Sequence, residues 1–143
     1  MLGFAPFNRP VAKVFLGDVG SLSIGLLLGS CLLELAYRQN VTAALLLPLY
    51  YLADATVTLL RRIARGEQFW AAHRSHFYQR ATDHGFTVLA IVGNVFALNL
   101  FLAALAIGTT LLQSRFSVFA SWLAAGLAVA LVMYRFSRPR SSS

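Results

Sequence analysis

Four long apolar runs alternate with polar segments along this chain of 143 residues. The runs extend over Val19–Arg38, Val41–Leu60, Phe86–Leu112 and Phe116–Tyr134. Each run is close to the ~20 apolar residues that a helix needs to cross a bilayer. Short turns join the first run to the second and the third to the fourth, so each pair predicts a helical hairpin. We therefore predict an all-α, polytopic protein with about four transmembrane helices, forming a single integral membrane domain.

The composition agrees with this prediction, since hydrophobic residues make up 58% of the chain and charged residues only 12%. Ten of the twelve Lys and Arg residues lie before the first run, between the hairpins or after the last run. These three segments share one side of a four-span topology, and the positive-inside rule places that side in the cytoplasm. The asymmetry explains the net charge of +7 without nucleic acid, which is not a predicted partner.

Three polar segments thus face the cytoplasm in the predicted topology. Residues 1–18 precede the first span, and residues 61–85 separate the hairpins and contain all three histidines. Residues 135–143 are basic and rich in serine, and we predict that this tail is disordered. Any chemistry in these segments would use cytoplasmic substrates.

Asp18 lies between two glycines, Gly17 and Gly20, at the mouth of the first apolar run. Glycine lets the backbone approach a ligand closely, and a carboxylate in this place is costly to desolvate. It would suit a magnesium ion, which proteins hold through one or two carboxylates together with substrate phosphates. The alternative is that Asp18 only caps the following helix.

Asp54 is an ionisable residue inside the second predicted span, and such residues are functional candidates. Asp54, Thr58, Arg61 and Arg65 follow one another at helical spacing, so they form one stripe that runs toward the cytoplasm. The alternative is a structural ion pair between Asp54 and Arg61 or a neighbouring helix.

The stretch FWAAHRSHFYQR, residues 69–80, brings two histidines and two arginines close together. Arginine forks suit phosphate, and histidine can exchange protons near neutral pH. The alternative is a basic loop resting on anionic headgroups. In the third span, Asn94 and Asn99 are interpreted as interhelical hydrogen-bonding residues rather than ligands.

Two motifs resemble the polyprenyl-phosphate N-acetylhexosamine-1-phosphate transferases. FNRPVAKVFLGDVGSLSIG, residues 7–25, is similar to the family's asparagine followed by a Phe-x-Gly-Asp-x-Gly-Ser-Leu block. ADATVTLLRR, residues 53–62, and RGEQFWAAHRSHFYQR, residues 65–80, resemble the family's Asp, Arg-Arg, Gly and His segment. The likeness extends from Phe7 to Tyr134.

The resemblance implies transfer of a sugar-1-phosphate from a UDP-N-acetyl sugar to undecaprenyl phosphate, which starts lipid-linked glycan synthesis. It implies that Asp18 ligates magnesium, with manganese as the alternative ion, and that His73 and His76 share the catalytic role. The residues that it implies for substrate binding are Asn8, Phe15, Gly17, Asp54, Arg61, Arg74 and Arg80. The implied location is the bacterial inner membrane, with the active face in the cytoplasm.

Two departures from the family refine this expectation. The peptidoglycan branch of the family has consecutive histidines in its last cytoplasmic loop, whereas this chain has His76-Phe77-Tyr78-Gln79. This difference argues against a muramoyl-pentapeptide substrate. The family's adjacent aspartate pair, found in its N-terminal half, has no counterpart in this sequence. The chain thus resembles the C-terminal portion of the family, and its expected partner is the missing N-terminal half or a second copy. The alternative function is a non-enzymatic membrane module that binds polyprenyl phosphate or assembles with such a partner.

Overall fold

The computed structural model describes residues 17–38, 41–66, 82, 85–112 and 114–138. These residues form five helices, which are α1 (Gly17–Arg38), α2 (Val41–Leu46), α3 (Leu49–Ala64), α4 (Val88–Leu112) and α5 (Arg115–Ser137). The described ranges contain no strand, and the predicted all-α fold class is confirmed. Helices α1, α4 and α5 have 22, 25 and 23 residues and are long and apolar enough to cross a membrane. The chain is therefore a multi-pass membrane protein.

The second predicted span is divided into α2 and α3 by a turn at Leu47 and Pro48. Proline has no N–H to donate and its ring clashes with the preceding helical turn, so it interrupts a helix at this point. Leu47 N still donates to the Ala43 carbonyl at 3.2 Å, and Leu52 N donates to the Pro48 carbonyl at 3.0 Å. The chain therefore resumes as α3 directly after the break.

Helix α3 also extends past Leu60, the predicted end of its span. Arginines follow there, and a helix at a membrane surface can accommodate them because their charged groups reach water. It ends at Ala64. Gly66 then adopts a left-handed backbone with φ of 68°, and its N–H donates to the Ile63 carbonyl at 3.0 Å. This glycine terminates the helix in the way that is common at helix C-termini.

The structure divides into two compact units, residues 1–34 and residues 35–143. In the first unit, the described residues belong to α1, and none of the residues of α1 is buried. Large apolar side chains such as Val19, Leu22 and Leu26 are exposed along this helix. Such a surface suits lipid, since the helix is a candidate membrane span.

The second unit has its core between α2, α4 and α5, with α3 packed against the same group. The buried residues of the two long helices recur at intervals of three, four or seven, so each helix buries one stripe. The buried apolar residues of this core are Ala43, Leu46, Tyr50, Ile91, Leu98, Leu102, Ala106, Ala125, Val129, Met133 and Phe136. The predicted hairpin of the last two spans is confirmed by this packing of α4 against α5, while the first hairpin stays a prediction.

Local capping explains where the two helices of this hairpin begin. Thr87 Oγ1 accepts a hydrogen bond from the Ala90 N–H at 3.3 Å before α4. Ser114 Oγ accepts from the Ser117 N–H at 3.1 Å before α5. Each side chain satisfies one of the N–H groups that a helix start leaves without a partner.

The prediction that the disordered tail begins at Arg135 is wrong for its first three residues, because α5 continues to Ser137. Phe136 is completely buried, and its ring lies edge-on to Phe86 with 5.8 Å between the ring centroids. Arg135 Nη1 donates to Asn94 Oδ1 at 3.3 Å. These contacts with the start of α4 hold the last turn of α5, and local composition does not reveal them.

We expect Leu102→Ala to destabilise the second unit by about 2 kcal/mol or more, because Leu102 is fully buried and its truncation leaves a cavity. The matched control is Leu111→Ala on the same helix, where the side chain is 77% exposed. Unfolding of both variants in mixed detergent micelles would measure the difference. Equal losses of stability would contradict the core described above.

Candidate functional site

Four of the ten predicted site residues lie in the described part of the chain. Gly17 and Asp18 belong to the first unit, and Asp54 and Arg61 belong to the second. The other six lie outside the described residues, and their roles stay predictions; they are Asn8, Phe15, His73, Arg74, His76 and Arg80. The two units are therefore considered separately.

Asp18 occupies the first turn of α1, and its side chain is exposed. Gly17 begins the helix with φ of 64°, a backbone conformation that glycine adopts without steric cost. Asp18 therefore lies in the first turn of α1, and the alternative that it caps the helix stays a prediction. The carboxylate is thus presented at the end of the helix, close to its free N–H groups.

The carboxylate of Asp18 fits an open magnesium site better than a site enclosed by protein ligands. Among the described residues, no three His, Cys, Asp or Glu side chains come together to hold a metal ion. Asp18 has no second carboxylate within the described part of α1 near its first turn. One exposed carboxylate fits a magnesium ion that takes its other ligands from water and substrate phosphates, and not a closed protein cage.

Asp54 lies in the interior of the second unit, with only 3% of its surface exposed. Thr58, one helical turn further on, donates from Oγ1 to Asp54 Oδ1 at 3.2 Å. Thr58 is itself buried. A buried carboxylate needs donors to offset its desolvation, so burial at this depth favours a structural role for Asp54 over direct contact with a substrate.

The stripe that begins at Asp54 leads from the interior to the surface. Thr58 is buried, whereas Arg61 and Arg65 are exposed at the end of α3. The prediction of one stripe that runs toward a membrane surface is consistent with this order of exposure. Arg61 is therefore accessible to an anionic ligand at the end of the helix, where guanidinium groups suit phosphate.

The two asparagines of α4 form interhelical hydrogen bonds, as predicted. Asn99 Nδ2 donates to the Tyr51 hydroxyl of α3 at 3.0 Å. Asn94 Oδ1 accepts from Arg135 of α5 at 3.3 Å. Polar side chains inside a membrane domain are satisfied by such bonds between helices.

Sequence reasoning did not predict a cleft of about 320 Å³ between the start of α3 and α4. Its wall is mainly aromatic and aliphatic, and the lining residues are Tyr50, Tyr51, Ile91, Val92, Val95, Phe96 and Asn99. Asn99 Oδ1 is buried there and accepts no hydrogen bond from the described residues. The signal that could have revealed the cleft is Pro48, because a helix break inside an apolar run leaves space beside the neighbouring helix.

Comparison with known proteins supports the family resemblance over part of the chain. Residues 1–36 match the model of glycosyl transferase family 4. This range includes the Phe-x-Gly-Asp-x-Gly-Ser-Leu block and Asp18. The resemblance drawn from the motifs is thus confirmed for this region. No solved structure matches the chain.

Two curated relatives extend the comparison. A probable undecaprenyl-phosphate N-acetylglucosaminyl 1-phosphate transferase of Bacillus subtilis is 28% identical over 108 residues, covering 68% of this chain and 30% of that protein. A phospho-N-acetylmuramoyl-pentapeptide-transferase of Streptococcus thermophilus is 46% identical over 59 residues, covering 41% of this chain and 17% of that protein. The chain thus spans less than a third of the length of these relatives.

We expect Thr58→Val to destabilise the second unit by about 1–3 kcal/mol, because the buried Asp54 carboxylate loses a donor while the side-chain volume is kept. The matched control is Thr110→Val on α4, whose hydroxyl donates only to the Ile107 carbonyl of its own helix at 2.7 Å. Unfolding in mixed micelles would compare the two variants. A loss in the control as large as that in Thr58→Val would contradict this account of Asp54.

Proposed function

We propose that this chain forms part of a phosphotransferase that moves a sugar-1-phosphate from a UDP-N-acetyl sugar to undecaprenyl phosphate. The product would start the synthesis of a lipid-linked glycan, such as O-antigen or another cell-envelope polysaccharide. The observation that carries the proposal is the match of residues 1–36 to glycosyl transferase family 4, with Asp18 exposed in the first turn of α1. The two relatives' names differ in the sugar, so the proposal extends only to UDP-N-acetyl sugars.

The proposed reaction is a displacement at phosphorus. An oxygen of the lipid phosphate attacks the phosphorus atom that carries the sugar. The bond from that phosphorus to the oxygen bridging toward uridine breaks, and UMP leaves with the electron pair. Such a reaction depends on positioning and on neutralising the phosphate charges more than on covalent work by the protein.

Asp18 has the role of a metal ligand in this proposal, with magnesium, or manganese in its place, as the cofactor. When bound, the ion would neutralise charge on the diphosphate and orient it. Asp18 would hold the ion at the start of α1, at the surface where a soluble nucleotide sugar and a lipid acceptor can meet. Gly17 allows close approach of the backbone there, because it has no side chain.

The cationic and histidine residues complete the proposed site. Arg61, exposed at the end of α3, would bind a phosphate of the substrate, and the same role is proposed for Arg74 and Arg80. His73 and His76 would act near the diphosphate, where histidine can donate a hydrogen bond or exchange a proton. Asn8 and Phe15 are proposed to contact the uridine.

We also propose that residues outside this chain complete the catalytic site. The relatives are more than three times as long as the segment that matches, and a single described carboxylate at the start of α1 leaves room for further acidic ligands. The missing groups would come from an N-terminal half on another chain or in a longer product. A second copy of this chain is the alternative source.

A second candidate function is a non-enzymatic module that binds polyprenyl phosphate. The observation that favours it is the apolar cleft of about 320 Å³ beside Tyr51 and Asn99, which could take part of an isoprenoid chain. This reading predicts that polyprenyl phosphate binds equally well with and without magnesium. It also predicts that Asp18→Asn leaves the affinity unchanged.

The decisive test uses a chimera in which this chain replaces the segment that it matches in the Bacillus subtilis relative. We expect the chimera in membranes to release UMP from a UDP-N-acetyl sugar when magnesium and polyprenyl phosphate are present. Asp18→Asn should lower the rate about a hundredfold or more, because a charge-neutralising ligand is lost. Glu34→Gln, an equal change of charge on the same exposed helix, should leave the rate unchanged.

Insertion of the chimera is checked by its intact mass and its protease protection in membranes. Two preparations are tested: the inserted chimera, and this chain expressed together with a separate N-terminal half of the relative. If both fail to release UMP, the transferase proposal is wrong. Full activity in Asp18→Asn would remove the active-site assignment even if the chimera worked. Binding of polyprenyl phosphate without turnover would then support the second candidate.

A further inference from the structure

The end of α5 carries two arginines whose contacts among the described residues are with neutral groups. Arg135 and Arg138 lie three residues apart, so they share one face of the chain at this end. Both are exposed. They directly follow the apolar stretch that ends at Tyr134, which places them at the level of lipid headgroups.

Arg135 is held in place by a neutral partner. Its Nη1 donates to Asn94 Oδ1 of α4 at 3.3 Å. The orientation of Asn94 is fixed in turn, since its Nδ2 donates to the Ala90 carbonyl at 2.6 Å. A guanidinium group has five N–H donors, so one bond to Asn94 leaves most of them available.

Arg138 is also held by a neutral group. Its guanidinium carbon lies 4.4 Å from the centroid of the Tyr134 ring, a distance at which a cation is attracted to the ring face. This contact orients the guanidinium without cancelling its charge. Both arginines are therefore positioned in advance of any anionic ligand.

The described residues of the second unit contain a single carboxylate side chain, and it does not belong to the helices that carry this pair. The sequences of α4 and α5 contain no Asp or Glu. Among the described residues of α3, the one carboxylate is Asp54, which is buried and accepts from Thr58. The helix C-terminus contributes about half a negative charge, so the described residues at this end still carry a net positive charge.

We infer that Arg135 and Arg138 form a binding site for the phosphate group of an anionic phospholipid of the surrounding bilayer. Arginine forks match phosphate oxygens through paired N–H bonds. The depth of the site favours a lipid over a soluble phosphate, because anionic headgroups are concentrated at this level of the membrane. The inferred site shares no residue with the proposed transfer reaction, and the inference does not depend on that reaction.

The test is native mass spectrometry of the detergent-purified 143-residue chain, titrated with phosphatidylglycerol and, separately, with phosphatidylcholine. We expect preferential retention of phosphatidylglycerol by the unchanged chain. Removal of each arginine, in Arg135→Gln and Arg138→Gln, should weaken that binding about fivefold, since one basic residue near a membrane surface contributes about that much. The phosphatidylcholine affinity should stay the same.

Two further variants distinguish a site formed by positioned side chains from a diffuse positive charge. Arg115→Gln removes an equal charge from the opposite end of α5 and should leave phosphatidylglycerol binding unchanged. Asn94→Ala keeps every charge but removes the bond that holds Arg135, and it should weaken binding. Circular dichroism of each variant verifies that the helices are intact.

Four results would overturn the inference. The first is unchanged phosphatidylglycerol binding in the Arg135→Gln, Arg138→Gln double variant, and the second is an equal loss in Arg115→Gln. The third is displacement of phosphatidylglycerol by an equimolar amount of polyprenyl phosphate, which would assign the site to the acceptor lipid. Unchanged binding in Asn94→Ala would likewise reject the positioned pair, since a diffuse charge would then suffice.

Discussion

Hydrogen bonding of the backbone inside the bilayer is the constraint on which the rest of this structure depends. A membrane interior offers no water to an unpaired N–H or C=O group, so each apolar segment must satisfy its own backbone. Helices α1, α4 and α5 do so without interruption. The break before α3 is tolerated because proline has no N–H to satisfy, and because the Pro48 carbonyl still accepts from Leu52 at 3.0 Å.

The same constraint applies to the polar side chains that lie among the apolar ones. Asn99 bonds to Tyr51, and Thr58 bonds to the buried carboxylate of Asp54. These groups join helices or turns of one helix, and they leave the ends of the helices to present charged residues at the membrane surface. Asp18 in the first unit and Arg61 in the second are each exposed near a helix end, where the proposed reaction would need them.

The proposed transfer and the inferred lipid site both depend on positive charge at the level of the lipid headgroups. They differ in how that charge is held. Arg135 and Arg138 are positioned by an amide oxygen and an aromatic ring, so they suit a resident lipid that stays bound. Arg61 is exposed near the end of α3, and its binding to a substrate phosphate is part of the proposed transfer.

The order of apolar and polar residues was sufficient to predict the all-α membrane fold, the approximate bounds of α1, α4 and α5, and the hairpin of α4 and α5. It was sufficient because the transfer of apolar side chains into lipid adds up along each segment and depends little on distant residues. The motif around Asp18 was likewise recognisable from the sequence. The match of residues 1–36 to glycosyl transferase family 4 confirms the resemblance in that region.

Other features depended on how the helices pack. Arg135 is ordered by Asn94, 41 positions earlier, and Asn99 reaches Tyr51 across 48 positions. The burial of Asp54, the cleft beside Tyr51 and the helical end of the predicted tail depend on similar long-range packing. Burial and interhelical bonds are properties of pairs of residues brought together by folding, and no local pattern of residue types contains that information.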